Sequence, residues 1–536
     1  MVGCGALLDA AVRGLDAVLV EQSDIASGTS SRSSRLAHGG LRYLEQFEFG
    51  LVHEALTERG LLLDRLAPHL VHPVPFLFPV TRQWERPYTG AGIALYDTLS
   101  RLGAYGGTMP RPRALSKGAV LGMAPGMKSD AFHSAVRFHD AQIDDARHTV
   151  AVARTAAGYG AGVVPNAPVV GLLRDGERVI GAQVRVNGVT IDAHAKVVLG
   201  AVGPWTDALL TMADPAHEPV LRPSKGTHLV VDRSAFVSTC ALIARTPTSV
   251  LFALPWGRRW LIGTTDTEFV EDPGEVRPDT DDVDYLIGQA NRWFDRPLSR
   301  PDVLGVYAGV RPLVTEQGTT ATASLSREHV VFNPVPGLLA IAGGKYTTYR
   351  VMAKDAVDEV ARALDFRVAE SCTHEVPLLG AEGYRAAWNS RGRTASRVGM
   401  HVARIEHLLH RYGSMTDQVL DLCVADPELA QPLPGADDYL AAEVVYAASH
   451  EGARHLDDVL ARRTRISIET WDRGVSTAPQ AGALMAGVLG WSADQLDREV
   501  RHYLARVEAE RASQSQLDDE AADAVRMGAP EIVPVT

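Results

Sequence analysis

The chain has 536 residues, 46% hydrophobic and 22% charged, which is typical of a globular protein of about three domains. Its formal net charge of -12 argues against nucleic acid as a partner, because binding to a phosphate backbone requires a basic face. Four cysteines lie far apart without a C-x-x-C pair, so the sequence predicts neither a disulfide framework nor a metal site. It contains no long apolar run and no signal-peptide pattern, which favours a cytoplasmic protein.

The first segment predicts a helix, within residues 6–13, and then a buried strand over residues 17–20 that ends at Glu21. In the dinucleotide-binding pattern G-x-G-x-x-G, an acidic residue about 20 positions further on binds ribose hydroxyls. Glu21 follows Gly3 by 18 residues, so we interpret Gly3 as the third glycine of that pattern. The alternative is that Gly3 is an ordinary turn residue before a strand that happens to end in Glu.

A loop rich in hydroxyl side chains follows, with the sequence SGTSSRSSRLAHGGLRYLE over residues 27–45. Its backbone N–H groups and short donors suit a pyrophosphate or a flavin ring at close range, and its arginines add positive charge. The alternative is a solvated linker. Linkers rarely interleave aromatic and aliphatic residues as residues 38–45 do, so a binding loop is favoured.

This loop resembles that of the FAD-dependent glycerol-3-phosphate dehydrogenases, which belong to the D-amino-acid-oxidase-like superfamily. Further motifs similar to that family recur in chain order, at residues 138–147, 203–205, 222–231, 254–267, 309–313 and 343–350. Residues 443–465 resemble the helical C-terminal domain that distinguishes this family from shorter relatives. The chain departs from the family before its Gly-Pro-Trp motif, where Gly200, Ala201 and Val202 replace Asn-Ala-Thr.

The resemblance implies an α/β fold in three parts. We expect a Rossmann-like FAD-binding domain of the glutathione-reductase and D-amino-acid-oxidase type, an antiparallel-sheet substrate domain and an all-α C-terminal domain. The predicted bounds are 1–220 and 313–370 for the FAD domain, with a helical insertion near 50–130, then 221–312 for the substrate domain, 375–511 for the C-terminal domain and 512–536 for a disordered tail.

The implied reaction is oxidation of sn-glycerol 3-phosphate to dihydroxyacetone phosphate, with a hydride passed to FAD and electrons passed on to a quinone. A phosphate dianion requires convergent cationic donors. The predicted phosphate-binding residues are Arg42, Tyr43, Arg311, Lys345 and Arg327. His38 and His228 are the candidate bases, because imidazole titrates near neutrality, and Arg311 is a third candidate catalytic residue. The alternatives are surface cations and hydrogen-bonded structural histidines.

The predicted FAD contacts come from the N-terminal glycine pattern, the hydroxyl-rich loop and two later glycine turns. They are Gly3, Glu21, Ser27, Gly28, Thr29, Ser30, Ser31, His38, Gly39, Gly40, Gly203, Gly344, Lys345 and Thr347. The sequence GGKYTT around Lys345 lacks the glycine spacing of a phosphate-binding P-loop, so it predicts instead a strand that ends beside the flavin.

In this fold a central strand and two glycines precede the position that Gly3 takes. We therefore expect the natural protein to begin upstream of Met1. One alternative is an impaired homologue without flavin that is kept for binding or interaction. A second alternative is an amine or amino-acid oxidase on the same fold.

Local patterns carry further predictions. Asp144 is expected to cap a helix that begins at Asp145, and Gly413 to end another helix. Residues 263–266, GTTD, predict either a capped turn or a substrate contact. The arginine-rich segment 458–465 predicts a solvated or salt-bridged helix face, or else a contact with anionic lipid. The family implies peripheral contact with the inner face of the cell membrane, and a homodimer is a further expectation.

Overall fold

The computed structural model describes the chain except for residues 104–108, 248, 316–327, 515, 517–518 and 530–536. Arg327, one of the predicted phosphate-binding residues, lies outside the described residues.

The α-helices, numbered in chain order, are α1 Val2–Val12, α2 Phe49–Leu61, α3 Glu85–Leu102, α4 Lys117–Met123, α5 Asp145–Gly158, α6 Thr206–Ala213, α7 Thr280–Ala290, α8 Tyr349–Ala363, α9 Tyr384–Val398, α10 Val402–Tyr412, α11 Thr416–Ala425, α12 Ala441–His450, α13 Ile466–Glu469, α14 Ala478–Leu489, α15 Ala493–Gln514 and α16 Asp519–Met527.

The strands are β1 Val18–Val20, β2 Leu36–Ala37, β3 Val71–Val80, β4 Arg113–Ser116, β5 Ser134–Ile143, β6 Gly162–Val164, β7 Val169–Asp175, β8 Arg178–Val186, β9 Val189–His194, β10 Val198–Gly200, β11 Ser224–Asp232, β12 Ala241–Arg245, β13 Val250–Trp256, β14 Arg259–Gly263, β15 Thr267–Glu268, β16 Val303–Arg311, β17 His329–Val335, β18 Leu338–Gly343, β19 Pro432–Leu433 and β20 Ala436–Leu440.

The N-terminal part contains two parallel strand pairs. Strand β1 pairs with β6, and β10 pairs with β18, which also accepts the antiparallel β17. Among the described residues, no ladder joins the β1 pair to the β10 pair. Helix α1 buries Leu7 and Leu8 in a core that includes Val150 of α5 and Tyr349 of α8. The predicted helix and strand before Glu21 are therefore confirmed.

Ten strands of the described residues form one mixed sheet. Its order is β15, β11, β14, β13, β12, β3, β5 and β2, with β16 paired to β11 and β4 paired to β5. Strand β3 runs antiparallel to β5 from the Val71–Ile143 pair to the Val80–Ser134 pair. The predicted helical insertion near 50–130 contains helices α2, α3 and α4, and it also contains β3 and β4, which extend the sheet beyond residues 221–312.

The two faces of this sheet pack differently. On the face that we call the back, Leu229, Val231 and Trp260 pack with Leu286 of α7 in one buried core. On the opposite face, which we call the front, Val230 and Leu261 join a second core beneath the loop that holds His38. Alternate residues of the same strands therefore serve two different environments, as the period of two in a strand requires.

The C-terminal domain is helical, with two cores. Ile405, Leu409 and Tyr412 of α10 pack in one, and Tyr439 and Tyr503 pack in the other. Gly413 ends α10, as predicted. The predicted tail differs from the structure, because residues 512–514 continue α15 and Asp519–Met527 form α16.

Candidate active site

The front face of the large sheet carries a row of residues from four adjacent strands. Tyr307 lies opposite His228, His228 opposite Gly263, and Gly263 opposite Phe252. Opposed residues of antiparallel strands point to one face, and strands about 4.8 Å apart place Phe252 and His228 roughly 10 Å from each other. A Cβ atom on Gly263 would overlap the His228 ring. The glycine therefore makes room for the imidazole of His228.

His228 is buried and held from two sides. Its Nε2 lies 2.8 Å from Oγ of Ser34, and its ring stacks on Tyr307 with 4.9 Å between centroids. Nδ1 is buried and has no hydrogen-bond partner among the described residues. Burial, together with the charges of Arg311 and Arg35, lowers the pKa of His228 to about 3. The imidazole is therefore neutral near pH 7.

Arg311 shares the front face with His228. Its Nη2 donates to Oγ1 of Thr264 at 2.9 Å and to the carbonyl oxygen of Thr265 at 3.2 Å. A Cβ atom on Gly226 would overlap the guanidinium. The turn over residues 263–266 thus orients Arg311.

The loop around His38 is joined to the loop around Lys345. Oγ1 of Thr347 accepts the N–H of His38 at 3.0 Å and donates to the His38 carbonyl at 3.1 Å. The N–H of Gly39 donates to the Tyr96 hydroxyl at 2.8 Å. Burial lowers the pKa of His38. Its ring lies 6.4 Å from the Phe252 ring, so this loop covers the front face of the sheet.

Three of the predicted phosphate-binding residues meet around one aromatic ring. Nζ of Lys345 lies 3.8 Å from the centroid of the Tyr43 ring, and the guanidinium carbon of Arg42 lies 5.9 Å from it. Arg42 also donates to Oγ of Ser249, just before β13, at 3.2 Å. Both cations therefore lie beside the Tyr43 ring, and a phosphate dianion requires cationic donors that lie close together.

The hydroxyl-rich loop lies beside the first turn of α1. Oγ of Ser30 accepts from the amino group of Met1 at 3.0 Å, and Oγ1 of Thr29 donates to a backbone carbonyl of β16 at 2.7 Å. Trp205 of the Gly-Pro-Trp motif covers Gly28, where a Cβ atom would lie 3.2 Å from its ring. Hydroxyl groups, a helix N-terminus and an aromatic ring therefore surround one small region.

Gly3 lies in the first turn of α1, and Glu21 directly follows β1. A Cβ atom on Gly3 would be 3.4 Å from Leu19 and 3.6 Å from Ala201, which is ordinary contact distance. The Glu21 carboxylate accepts the N–H of Ser23 at 3.0 Å. Burial raises the pKa of Glu21, so the carboxylate lacks the hydration that it has in water.

Comparison with known proteins places the chain in a family. A model of FAD-dependent oxidoreductases matches residues 1–350, and a model of the C-terminal domain of alpha-glycerophosphate oxidase matches residues 371–496. Glycerol-3-phosphate dehydrogenase 2 of Mycobacterium tuberculosis is 51% identical over 534 residues, which cover 99% of this chain and 90% of that protein. The chain belongs to the FAD-dependent glycerol-3-phosphate dehydrogenase family.

More distant members of the glycerol-3-phosphate dehydrogenase family agree. The mitochondrial glycerol-3-phosphate dehydrogenase of Mus musculus is 35% identical over 517 residues, covering 91% of this chain and 69% of that protein. The crystal structure of the Bacillus halodurans glycerol-3-phosphate dehydrogenase complexed with FAD superimposes with a TM-score of 0.75 at 28% identity, covering 94% of this chain and 92% of that one. These matches support the FAD-dependent dehydrogenase interpretation over a homologue without flavin and over an amine oxidase.

The residues of this family member fit FAD. Glu21 is half-buried and the pKa of its carboxylate is raised, so the carboxylate is stabilised when ribose hydroxyls donate to it. Gly203 has a φ of 55° and open space where a Cβ atom would be, so a ligand can approach its backbone closely. The N-terminal turn of α1 and the hydroxyls of Thr29 and Ser30 suit a pyrophosphate.

The predicted site residues fall into three groups. In the first group, Gly3 lies in the first turn of α1 beside residues 27–31, and Glu21 and Gly203 follow strands β1 and β10. The second group is formed by the two glycine turns: His38, Gly39, Gly40, Gly344 and Thr347. The third group comprises the candidate catalytic and phosphate-binding residues on or over the front face: His228, Arg311, Arg42, Tyr43 and Lys345. Their roles in binding and catalysis remain predictions.

Sequence reasoning missed several residues that shape this site. Tyr307 stacks on His228, Ser34 bonds it, and Arg35 lies with its guanidinium carbon 4.3 Å from the centroid of the Trp256 ring. Tyr307 and Arg311 are four residues apart in β16 and share its front face, so strand alternation linked to Arg311 was the signal that could have found Tyr307.

The arginine-rich segment is neither solvated nor available to lipid. Arg462 and Arg463 are buried and pair with Asp24, at 2.5 and 2.7 Å. Arg465 is buried and pairs with Asp144 at 2.5 Å. Of the predicted alternatives, salt bridging is confirmed, whereas solvation and lipid contact are wrong for these three arginines. Asp144 also caps α5, as predicted, by accepting the N–H of Arg147 at 3.1 Å.

None of the described helices is long and apolar enough to cross a bilayer. The described His, Cys, Asp and Glu side chains include no cluster that could hold a metal ion.

Proposed function

We propose that this chain oxidises sn-glycerol 3-phosphate to dihydroxyacetone phosphate, with the C2 hydride passing to FAD and the electrons leaving to a quinone. The observation that carries the proposal is the arrangement over the front face of the sheet. Arg42 and Lys345 converge on Tyr43, while the neutral imidazole of His228 and the guanidinium of Arg311 line the same face.

In this proposal the phosphate lies against Arg42 and Lys345, with Arg311 as a further cation. His228 accepts the proton of the C2 hydroxyl, and FAD when bound supplies the acceptor for the hydride. A phosphate dianion near His228 favours the charged imidazolium, so it raises the pKa of His228 from its low value toward neutrality. The joined loops of His38 and Thr347 shield the front face from water.

The direct test is anaerobic reduction of the bound flavin. We expect sn-glycerol 3-phosphate to bleach the visible flavin absorbance at a saturable rate, and glycine or sarcosine to have no effect. Bleaching by the amines and not by glycerol 3-phosphate would refute the substrate proposal. Reoxidation by a soluble ubiquinone analogue, compared with oxygen, then tests the acceptor. Faster reoxidation by oxygen would refute the quinone.

We also propose peripheral contact with the inner face of the cell membrane through the start of α3. Trp84 and Tyr88 are exposed to 66% and 56% there, and Arg82 and Arg86 are exposed beside them. Aromatic rings flanked by cations favour the interface of an anionic bilayer. Phe47 is 78% exposed and lies on the same side of the molecule. Glu45, two residues before it, pairs with Arg245, and the guanidinium carbon of Arg245 lies 6.0 Å from the centroid of the Tyr88 ring.

Flotation with vesicles that contain anionic lipid tests this contact. We expect the protein to float and the double variant Trp84→Ser with Tyr88→Ser to remain in the dense fraction. Trp471→Ser is the matched control, because Trp471 is equally exposed but lies in the C-terminal domain. Unchanged flotation of the double variant would refute the proposed surface.

A further inference from the structure

Asp145 connects the C-terminal domain to the loop that approaches His228. Its side chain is completely buried. One carboxylate oxygen accepts from Arg465 of the C-terminal domain and from the N–H of Ala146. The other accepts from Ser33, from the hydroxyl at 2.7 Å and from the backbone N–H at 3.1 Å. A carboxylate with this many donors is held in one orientation.

Ser33 in turn belongs to a closed set of contacts around His228. Its carbonyl accepts from the Tyr307 hydroxyl at 3.1 Å, and Tyr307 stacks on His228. The next residue, Ser34, lies with its hydroxyl 2.8 Å from Nε2 of His228. The position of Ser33 therefore fixes two of the groups that orient the imidazole.

The second loop at the site also depends on Asp145. The Tyr346 hydroxyl donates to the backbone carbonyl of Asp145 at 2.9 Å, and Tyr346 follows Lys345 directly. His148 lies with Nδ1 2.9 Å from the same hydroxyl. Asp145 is thus bonded, through its side chain and its backbone, to both loops that cover the front face.

Arg465 is the partner that makes a buried Asp145 charge tolerable. The arginine is buried, and its guanidinium bonds Asp144 and Asp145 together. Because an unpaired buried carboxylate is strongly unfavourable, loss of this guanidinium would make the carboxylate move toward other donors. That movement would disturb the hydrogen bonds that it accepts from Ser33.

We propose that Arg465 is a positioning residue for the oxidation: acting through Asp145 and Ser33, it sets the orientation of the Ser34–His228 pair from the C-terminal domain. This proposal rests on the proposed function for its catalytic consequence. The structural link that it asserts does not depend on the substrate. The C-terminal domain thereby has a role in the reaction, although its Arg465 does not touch the site.

The structural link is tested by hydrogen exchange on the FAD-bound protein. We expect the peptide around Ser33 to exchange at least tenfold faster in Arg465→Lys and in Asp145→Asn than in the wild type, because the Ser33 N–H loses its acceptor. Arg147→Lys is the matched control, because Arg147 of α5 also makes a buried ion pair with the C-terminal domain, to Glu451 at 2.7 Å. Equal exchange in Arg465→Lys and Arg147→Lys would overturn the proposal.

The catalytic consequence is tested by a double-mutant cycle on flavin reduction by glycerol 3-phosphate. We expect Arg465→Lys and Ser33→Ala each to lower the limiting reduction rate about tenfold with the substrate half-saturation concentration within twofold, because the phosphate-binding residues are untouched. In a His228→Asn background, neither substitution should lower the rate further. Fully multiplicative losses would show that Arg465 does not act through His228.

Ser33→Ala keeps Arg465 and Asp145 intact. It therefore tests the link from Asp145 through Ser33 to His228 even if Arg465→Lys fails to fold. An unchanged rate and half-saturation in Ser33→Ala would overturn the proposal. If the wild type does not reduce its flavin with glycerol 3-phosphate, the proposed function fails. In that case the exchange measurement alone still decides whether Arg465 holds Ser33.

Discussion

Strand β11 presents different chemistry on its two faces. On the back face, Leu229 and Val231 are completely buried and pack beneath α7. On the front face, Nδ1 of His228 is buried without a partner among the described residues. The Arg311 guanidinium occupies the space that a side chain at Gly226 would take. The back face pairs its buried polar groups, as Thr227 donates to Asp282 of α7 at 2.6 Å, whereas the front face leaves polar capacity unused. We therefore expect the ligand on the front face.

The largest expected effect is a loss of stability from a substitution on the back face. Trp260 is fully buried, and its indole donates to the Arg233 carbonyl at 3.1 Å. Trp260→Ala should lower the free energy of unfolding by about 3–5 kcal/mol, because it leaves a large cavity. Thermal denaturation measures the loss, and Trp471→Ala at an exposed site is the control. Flavin reduction by the folded fraction should be unchanged. A lower reduction rate without lost stability would contradict the division between the faces.

The next effect lies on the front face and should have the opposite character. Arg311→Met removes a charged donor, so kcat/KM for glycerol 3-phosphate should fall about 100-fold, with Tm nearly unchanged. Arg259→Met is the control, because Arg259 also points to the front but pairs with Asp232 at the other end of β14. If both variants lost activity equally, Arg311 would have no special role.

The third prediction concerns the pH dependence of stability, which the buried imidazole of His148 should affect. Burial lowers the pKa of His148 to about 3, from an ordinary value of about 6.5. Between these values the unfolded chain binds a proton that the folded chain does not, so stability falls as pH falls below about 6.5. At pH 5 this single group should destabilise the fold by on the order of 2 kcal/mol.

Thermal denaturation between pH 5 and 8 measures this slope. His148→Gln should make this slope shallower without abolishing it, because burial also lowers the pKa of His69, His72 and His228 to about 3. His194→Gln, at an exposed position of β9, is the control. An equal slope in wild type and His148→Gln would show that His148 is protonated in the folded protein.

The smallest effect concerns a glycine. In Gly226→Ala the new Cβ atom overlaps the Arg311 guanidinium, and the flexible side chain can move away. We expect kcat/KM to fall about tenfold, which corresponds to about 1.4 kcal/mol, with little change in Tm. Gly288→Ala in α7 is the control, because a Cβ atom there has open space. A large loss of stability in Gly226→Ala would show that the guanidinium cannot yield.

Several features of the site were predictable because they are local in the sequence. The HGG turn, the Lys345 turn and the hydroxyl-rich loop each consist of contiguous residues whose types limit what they can bind. The convergence of Arg42, Tyr43 and Lys345 was expected from motif resemblance, and the structure brings these residues together. The family and the FAD cofactor followed from the same motifs and are confirmed by the comparisons.

The sequence by itself therefore determined the cofactor, the family and the residue types of the site. Only the tertiary structure decided how β3 and β5 extend the substrate sheet, which face of β11 carries His228 and what Arg465 does. Arg465 and Asp145 are 320 residues apart in the sequence. The arginine-rich pattern around Arg465 predicts a solvated segment as readily as one paired with carboxylates. Burial and pairing across such distances depend on which surfaces meet, and local patterns of charge and hydrophobicity do not specify that.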